Sequence, residues 1–323
     1  MAPKTEAKAA STGIAEKDDR KVSNTSGGRP FSKLSYAIEK IDRSIITPAV
    51  DPNFDVLPDH ETVFGAVEEM AADGPQNIMI TGPQGCGKTE LGVYYAAKYK
   101  RPAIVVNCPL VREAKDWFGW RTAKAGTVSW HKADFVRAVE MGNAVIILDE
   151  FNRLHTSLHN AIYPLLDARR STYIEELEEI MNVGPNTVFV ATCNIGFTHT
   201  GTFTLDAALE DRWSIRVDIS FPDTKRETKI LTSKTDVSKD VAERLCKLAQ
   251  NIRSKSSGIN ATLTRAVSTR QLLVAADLIS RYSKKKIDIK KALDYTIVPV
   301  FSNDGGKDSE QAQVLQLIQG IFG

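Results

Sequence analysis

Cysteine is scarce in this chain and nowhere paired: Cys86, Cys108, Cys193 and Cys246 stand far apart with no C-x-x-C spacing. That spacing excludes a disulfide scaffold and a zinc ribbon and fits a reducing, cytoplasmic setting. Long apolar runs are missing too. No stretch approaches the roughly 18 apolar residues of a membrane-spanning helix, and residues 1–30 hold no apolar segment of a signal peptide. No membrane partner is expected. Neither charge sign dominates: 42 Lys and Arg face 40 Asp and Glu, a net +2, which leaves no global footprint for a polyanion. Residues 1–30 contain no aromatic residue at all. Such a segment cannot bury enough surface to fold alone, so residues 1–32 are expected as a disordered tail. No internal repeat is found.

The remaining sequence has globular character, with 42% apolar and 25% charged residues, and its length leaves room for one large or two ordinary domains at about 100–200 residues each. A short helix is expected over 33–47 (Leu34, Ala37, Ile38, Ile41), ended by Pro48. Short, mostly β-branched apolar runs follow at 77–81, 103–107, 144–148, 187–193 and 215–220. Continuous runs such as Val145-Ile146-Ile147-Leu148 suit strands covered on both faces of a parallel sheet. Helical patterns at 88–98, 132–141 and 157–167 lie between most of them. The alternation predicts an α/β fold with a doubly wound parallel sheet over 33–223. After Phe221-Pro222-Asp223 the character becomes helical only, with Val241, Leu245, Leu248, Ala249 and Ile252 on one face and Leu272, Leu273, Ala276, Leu278 and Ile279 on another. Residues 224–300 therefore read as a small all-helical lid, and 301–323 as a C-terminal segment with a short helix (Val314, Leu315, Leu317, Ile318).

The chemistry is concentrated at two strand ends. Gly82-Pro83-Gln84-Gly85-Cys86-Gly87-Lys88-Thr89 fits G-x-x-x-x-G-K-[ST] directly after the run Ile78-Met79-Ile80 and before a helix that continues with Glu90. That context identifies a phosphate-binding P-loop. Its glycines let the backbone wrap phosphates, its N–H groups and the helix N-terminus supply positive potential, Lys88 reaches the β- and γ-phosphates, and the Thr89 hydroxyl ligates Mg²⁺. The loop reads phosphates and not the base, so ATP and GTP are both open. Asp149 and Glu150 end the buried run at 144–148, facing the ligand crevice. Asp149 is placed to hold Mg²⁺, and Glu150 to orient the attacking water.

With these residues in view the chain resembles the AAA+ ATPases, and within them the MoxR/CobS-like branch, over roughly residues 55–300. Asp149-Glu150-Phe151-Asn152-Arg153 is similar to that branch's D-E-[IF]-N-R signature. Thr192-Cys193-Asn194 resembles the sensor-1 strand end. Leu205 to Trp213 is similar to the segment ending in D-R-F, with Trp213 in place of Phe, and Ser268-Thr269-Arg270 resembles sensor 2. The resemblance implies a P-loop NTPase three-layer sandwich (the AAA+ core) with a helical lid, and a homo-oligomeric ring, hexameric in the family. It implies roles for Asn194 near the γ-phosphate, for Arg212 as an arginine finger on the neighbouring subunit's nucleotide, and for Arg270, with Arg265 a rival, reaching ATP from the lid. Arg212 also reads as an ordinary surface ion pair, and Asn107 as either a polar switch or a strand-end cap. The family implies a protein client, with a von Willebrand factor A domain or a metal-inserting subunit as partner.

Other features have plainer readings. The segment 171–184 is similar to the hairpin inserted before sensor 1 in this clade. Trp117-Phe118-Gly119 stands where unfoldases carry a pore loop, but packing is the favoured reading. His155 and His159 share a helix face without a third ligand or an H-E-x-x-H pattern, which argues against zinc. Lys284, Lys285, Lys286, Lys290 and Lys291 read as a solvated face. A nucleic-acid motor is the alternative function and a non-hydrolysing switch a third. The complete set Lys88, Thr89, Asp149, Glu150, Asn194 and Arg212 argues against the switch.

Overall fold

In a computed structural model the protein is described for residues 45–124, 127–175, 177–194, 207–258, 260–284, 288–303, 305–306 and 309–323. Five strands make the central sheet: β1 (Gln76–Gly82), β2 (Ala103–Asn107), β5 (Val145–Asp149), β8 (Val188–Asn194) and β9 (Ile215–Asp218). Two hairpins account for the others, β3 (Gly119–Lys124) with β4 (Thr127–Lys132), and β6 (Ser171–Ile174) with β7 (Glu179–Asn182). The sheet runs β2-β5-β8-β1-β9 and every pairing in it is parallel.

Burial on both faces explains why these runs form strands. Along β8, Val188 and Val190 enter one core with Phe64, Leu91, Tyr95 and Ile147, while Phe189 and Ala191 enter the other with Phe135, Ile162, Leu165 and Trp213. Side chains alternate with period 2, so a strand apolar at every position needs helices on both sides. They are present. The helices Pro58–Asp73 and Lys88–Lys98 cover the first face, and Asp134–Met141 and Thr156–Leu166 the second. This is the expected three-layer α/β sandwich.

The helices Thr224–Lys234, Lys239–Lys255, Thr269–Lys284, Ile289–Thr296 and Glu310–Phe322 pack on a core of their own, including Leu231, Leu245, Ala249, Leu272, Ile279, Leu293, Val314 and Ile318. Side-chain caps start several of them. Asp223 accepts from Arg226 N at 2.8 Å and Ser309 from Ala312 N at 3.2 Å, each satisfying an N–H that a helix end otherwise leaves unpaired. Glu310 then ties the last helix to its neighbours. Burial opposes its ionisation, but donors from Ser302 (N at 2.9 Å, Oγ at 2.6 Å) and Thr264 outweigh that, taking its pKa from 4.5 to about 2. A depressed carboxylate pKa contributes stability that is complete above the unfolded value and lost as pH falls through the folded one. Glu310→Gln should therefore cost about 1–3 kcal/mol at neutral pH. In urea titrations that difference should shrink as pH is lowered from 4.5 towards 2.

Two expectations need correcting. Residues 33–44 of the expected N-terminal helix lie outside the described residues. Its end at 45–47 is not helical, because Ile46 makes an antiparallel bridge to Ala103, with N–H···O bonds of 3.2 and 2.8 Å, and so occupies the free edge of β2. The expected helix over 132–141 starts at Asp134, since Lys132 is the last residue of β4. The aromatic segment divides in two. Trp117 is fully buried with its ring 4.9 Å from Phe135, and Phe118 is buried beside it, as packing requires. Trp120, by contrast, is 55% exposed on β3, stacked on His131. Trp117→Ala should cost about 3–5 kcal/mol of stability, whereas Trp120→Ala should stay within about 0.5 kcal/mol. Chemical denaturation of the two variants tests the contrast. His159 belongs to the second core against Phe151 (4.8 Å), and His155 caps Thr156–Leu166 by accepting from Ser157 N. Both have structural work to do. Among the described residues no group of metal-ligating side chains of that kind is assembled.

Candidate nucleotide site

Parallel register brings the important strand ends to one edge. Gly82 lies opposite Asn194, and Asn107 opposite Asp149, so residues far apart in sequence meet at the carboxyl edge of the sheet, where ligands bind in such folds. The loop leaving β1 turns through Gly85 (φ +73°) and Gly87 (φ +101°) into the helix Lys88–Lys98. Gly85 also has no room for a side chain, because a Cβ there would lie 2.7 Å from Ser268 Cβ. Lys88 is buried at the helix start, its ammonium donating to Gly82 O (3.0 Å) and Pro83 O (2.7 Å). Burial lowers its pKa, with nearby Asp149 and Glu150 among the groups that oppose the shift. A desolvated cation wrapped by its own loop gains most from an incoming anion.

Asp149 is the hub of the site. Its Oδ1 accepts from Thr89 Oγ1 at 2.6 Å and from Thr192 Oγ1 at 2.7 Å, linking the loop helix, β5 and β8. Thr192 Oγ1 in turn accepts from Glu150 N at 2.9 Å. That bond helps to hold Glu150 in a left-handed conformation (φ +52°), a strained state for a residue with a side chain and one that clusters at functional sites. The Glu150 carboxylate is shared by Asn194 Nδ2 (3.3 Å) and Arg153 Nη1 (3.2 Å). Asn152 fixes Asn194 from both sides, donating to its carbonyl (2.9 Å) and accepting from its N–H (3.3 Å). Thr192, Asn152 and Arg153 are thus parts of the cluster to which sequence reasoning gave no role. The motif strings Asp149–Arg153 and Thr192–Asn194 contained them, but only the parallel register joins the two strings. Asn107 ends β2 beside Asp149.

Beside the loop lies a cleft of about 680 Å³, within the usual range for a small-molecule site. Gly85, Cys86, Gly87 and Glu90 form one wall, Phe54, Val56 and Leu57 another, and Phe221, Thr269, Arg270 and Leu273 the lid side. Arg270 therefore faces the cleft, and Arg265 is not in its wall. Three ion pairs draw the segment 51–57 to the helix Thr224–Lys234: Asp55 with Arg226 (3.4 Å) and Lys229 (3.9 Å), and Asp51 with Lys234 (3.3 Å). Burial pushes the Cys86 thiol up and the Cys193 thiol to about 12, so both stay protonated near the site at neutral pH.

Arg212 is the member that the fold does not bring in. Asn77 Nδ2 donates to Arg212 O at 2.7 Å, which places its backbone at the amino end of β1, about 17 Å of strand from Gly82. The guanidinium donates through Nη1 to Ala208 O, lies 4.7 Å over the Tyr163 ring and 4.0 Å from Asp167, and its buried Nε has no hydrogen-bond partner. Trp213 is buried edge-on to Phe151 (5.3 Å), filling the place expected for Phe. Leu205 and Asp206 of that motif, and Lys285 and Lys286 of the basic cluster, lie outside the described residues. Lys290 donates to Gln319 (3.0 Å).

Comparison with known proteins agrees with this fold. The AAA domain family of the dynein-related subfamily matches residues 77–213, and the CbbQ/NirQ/NorQ C-terminal family matches residues 227–318. The chain is 29% identical to protein NorQ of Paracoccus denitrificans over 256 residues, covering 79% of this chain and 90% of that one. It is also 29% identical to the putative chaperone BssE of Thauera aromatica (73% and 81% covered), and to the denitrification regulatory protein NirQ of Pseudomonas aeruginosa (62% and 75%). In fold it is similar to the FIGL-1 AAA domain in complex with ADP (TM-score 0.52, 16% identity, 90% and 97% covered). The Thermotoga maritima RuvB Holliday junction branch migration motor is similar at TM-score 0.50 (15% identity, 77% and 72% covered). A dynein-related AAA core followed in the same chain by a CbbQ/NirQ/NorQ C-terminal region makes this protein a member of the MoxR-like AAA+ ATPases.

Proposed function

We propose that the protein binds Mg-ATP in the cleft beside Gly82–Thr89 and hydrolyses it in a homo-oligomeric ring, hexameric by family likeness, to remodel a protein client. The observation that carries this reading is the Asp149 hub, which joins Thr89 and Thr192 on one carboxylate and, through the Thr192 hydroxyl, the backbone of Glu150. Thr89 Oγ1 and Asp149 Oδ1, 2.6 Å apart, are hard oxygen donors suited to Mg²⁺. When bound, that ion would neutralise charge on the β- and γ-phosphates.

The chain's own residues supply the rest. Loop N–H groups and Lys88 hold the phosphates, and the Phe54–Leu273 cleft takes the nucleoside. Glu150, held by Asn194 and Arg153, orients a water in line with the γ-phosphorus. Attack forms a new P–O bond and breaks the β–γ bridging bond, releasing ADP and phosphate. Asn194 and Arg270 stabilise charge on the transferring group, and Arg212, too far from its own loop, acts on the nucleotide of the adjoining subunit. A transition state with charge spread over several oxygens needs cations on more than one side.

One relative is named a putative chaperone, which supports client remodelling; a von Willebrand factor A domain protein or a metal-inserting subunit is the partner proposed from the family resemblance. Among the described residues no helix is long and apolar enough to cross a membrane, which fits a cytoplasmic protein. The likeness to RuvB is one of fold and does not favour a nucleic-acid motor. Turnover of ATP and GTP should be measured with Mg²⁺ and with EDTA. Mg²⁺-dependent turnover is expected, and equal turnover in EDTA would remove the roles given to Thr89 and Asp149.

A further inference from the structure

The C-terminal helices contain a buried ion pair that the sequence gave no reason to single out. Glu227 is 1% exposed, and both its oxygens accept from Arg253, at 2.7 and 2.8 Å. Oε1 also accepts from Thr269 Oγ1 at 2.6 Å. Arg253 uses its third nitrogen, Nε, to donate to the backbone carbonyl of Val267 at 2.8 Å, and its guanidinium lies 4.0 Å over the Phe221 ring. Three segments converge on this pair: the entry to the lid at Phe221, the turn at 267–268, and the first residue of the helix Thr269–Lys284.

Each of those segments borders the nucleotide cleft. Phe221, Thr269 and Arg270 are in its wall, and Ser268 abuts Gly85 of the phosphate loop. Apolar packing alone leaves a surface arginine such as Arg270 free to slide with its helix. A bidentate pair with its carboxylate buried is directional. It costs more to bury than a pair of apolar residues, so its value here is in geometry. We propose that Glu227 and Arg253 are positioning residues for ATP turnover: they lock the turn 267–269 to the lid and thereby hold Arg270 at the cleft. This rests on the reading of Arg270 as a phosphate-facing cation.

The test is a double-mutant cycle on the full-length protein. Arg253→Lys keeps the buried charge but cannot reproduce the fork and the Nε bond together, and Thr269→Val removes a single hydroxyl. With Mg-ATP saturating, kcat should fall about tenfold in Arg253→Lys, a coupling of the size seen between contacting residues, and less in Thr269→Val. The affinity for a fluorescent ADP and cooperative thermal unfolding should be retained. Combining either change with Arg270→Ala should lower kcat no further than Arg270→Ala alone. Losses that multiply, or a lowered thermal midpoint with unchanged kcat, would overturn the positioning role while leaving Arg270 in place. Full turnover in Arg270→Ala would instead remove the phosphate-facing reading, and this inference with it.

Discussion

Glu150→Gln should lower ATP turnover by about 10²–10⁴-fold, the usual loss when a positioned acid–base group is removed, while leaving ATP bound. The reason lies in what the substitution keeps. Asp149, Thr89 and Lys88 are untouched, and an amide oxygen at position 150 can still accept from Asn194 Nδ2. What disappears is the negative charge that polarises water and pairs with Arg153 at 3.2 Å. The left-handed backbone at 150 is fixed by the Thr192 bond, so the Gln side chain leaves the same point in the same direction. Single-turnover phosphate release separates the effects. Slow chemistry with unaltered nucleotide binding is the expected result, and weakened binding would mean that Glu150 serves the loop and not the water.

Arg212→Ala should lower turnover more steeply, by about 10³–10⁵-fold, the range for arginine fingers supplied in trans. The side chain sits at the amino end of β1, and its strand alone separates it from Gly82 by about 17 Å. No rotamer of one arginine spans that distance, so an effect of this size requires a second subunit. The local packing agrees. Within its own subunit the guanidinium donates through Nη1 to Ala208 O and rests 4.7 Å over the Tyr163 ring, but its carboxylate neighbour Asp167 is 4.0 Å away and Nε is buried without a hydrogen-bond partner. A cation that is only partly satisfied within its own subunit still has donors to offer a phosphate. Nucleotide affinity at low protein concentration should be unchanged in this variant, since the arginine belongs to another subunit's site. Turnover within twofold of wild type would make Arg212 a surface ion pair after all.

Much of the fold was legible because the relevant signals are local. Fully apolar runs such as 144–148 and 187–193 have no solvent face in a sheet, so they required covering on both sides. The P-loop carries its chemistry in eight consecutive residues. The terminal helix and the hairpin at 171–184 also declare themselves by period. The β3–β4 hairpin did not, because Trp117 and Phe118 are the buried end of a short helix (Ala114–Phe118) while Trp120, two residues on, is exposed. An aromatic cluster read as one loop is in fact two elements. Ile46 looked like the end of a helix because the free edge of β2 that it covers is 57 residues away in the chain. The Glu227–Arg253 pair and the bonds from Asn152 to Asn194 depend on tertiary register, and neither leaves a spacing that sequence alone could reveal. The segment 51–57 is similar. Its ion pairs to Arg226, Lys229 and Lys234 border the cleft, and they join it to a helix far away in the chain.

The central claim, a catalytic site completed by the neighbouring subunit, is tested most directly by mixing two inactive proteins. Glu150→Gln supplies an intact Arg212, and Arg212→Ala supplies an intact Glu150. In randomly mixed rings about a quarter of interfaces would join a subunit with an intact Glu150 to a neighbour with an intact Arg212. Turnover should therefore recover to roughly a quarter of the wild-type rate when the two are combined in equal amounts, and should rise with protein concentration. A mixture no more active than either variant alone, under conditions where wild type turns over ATP, would contradict a site shared between subunits.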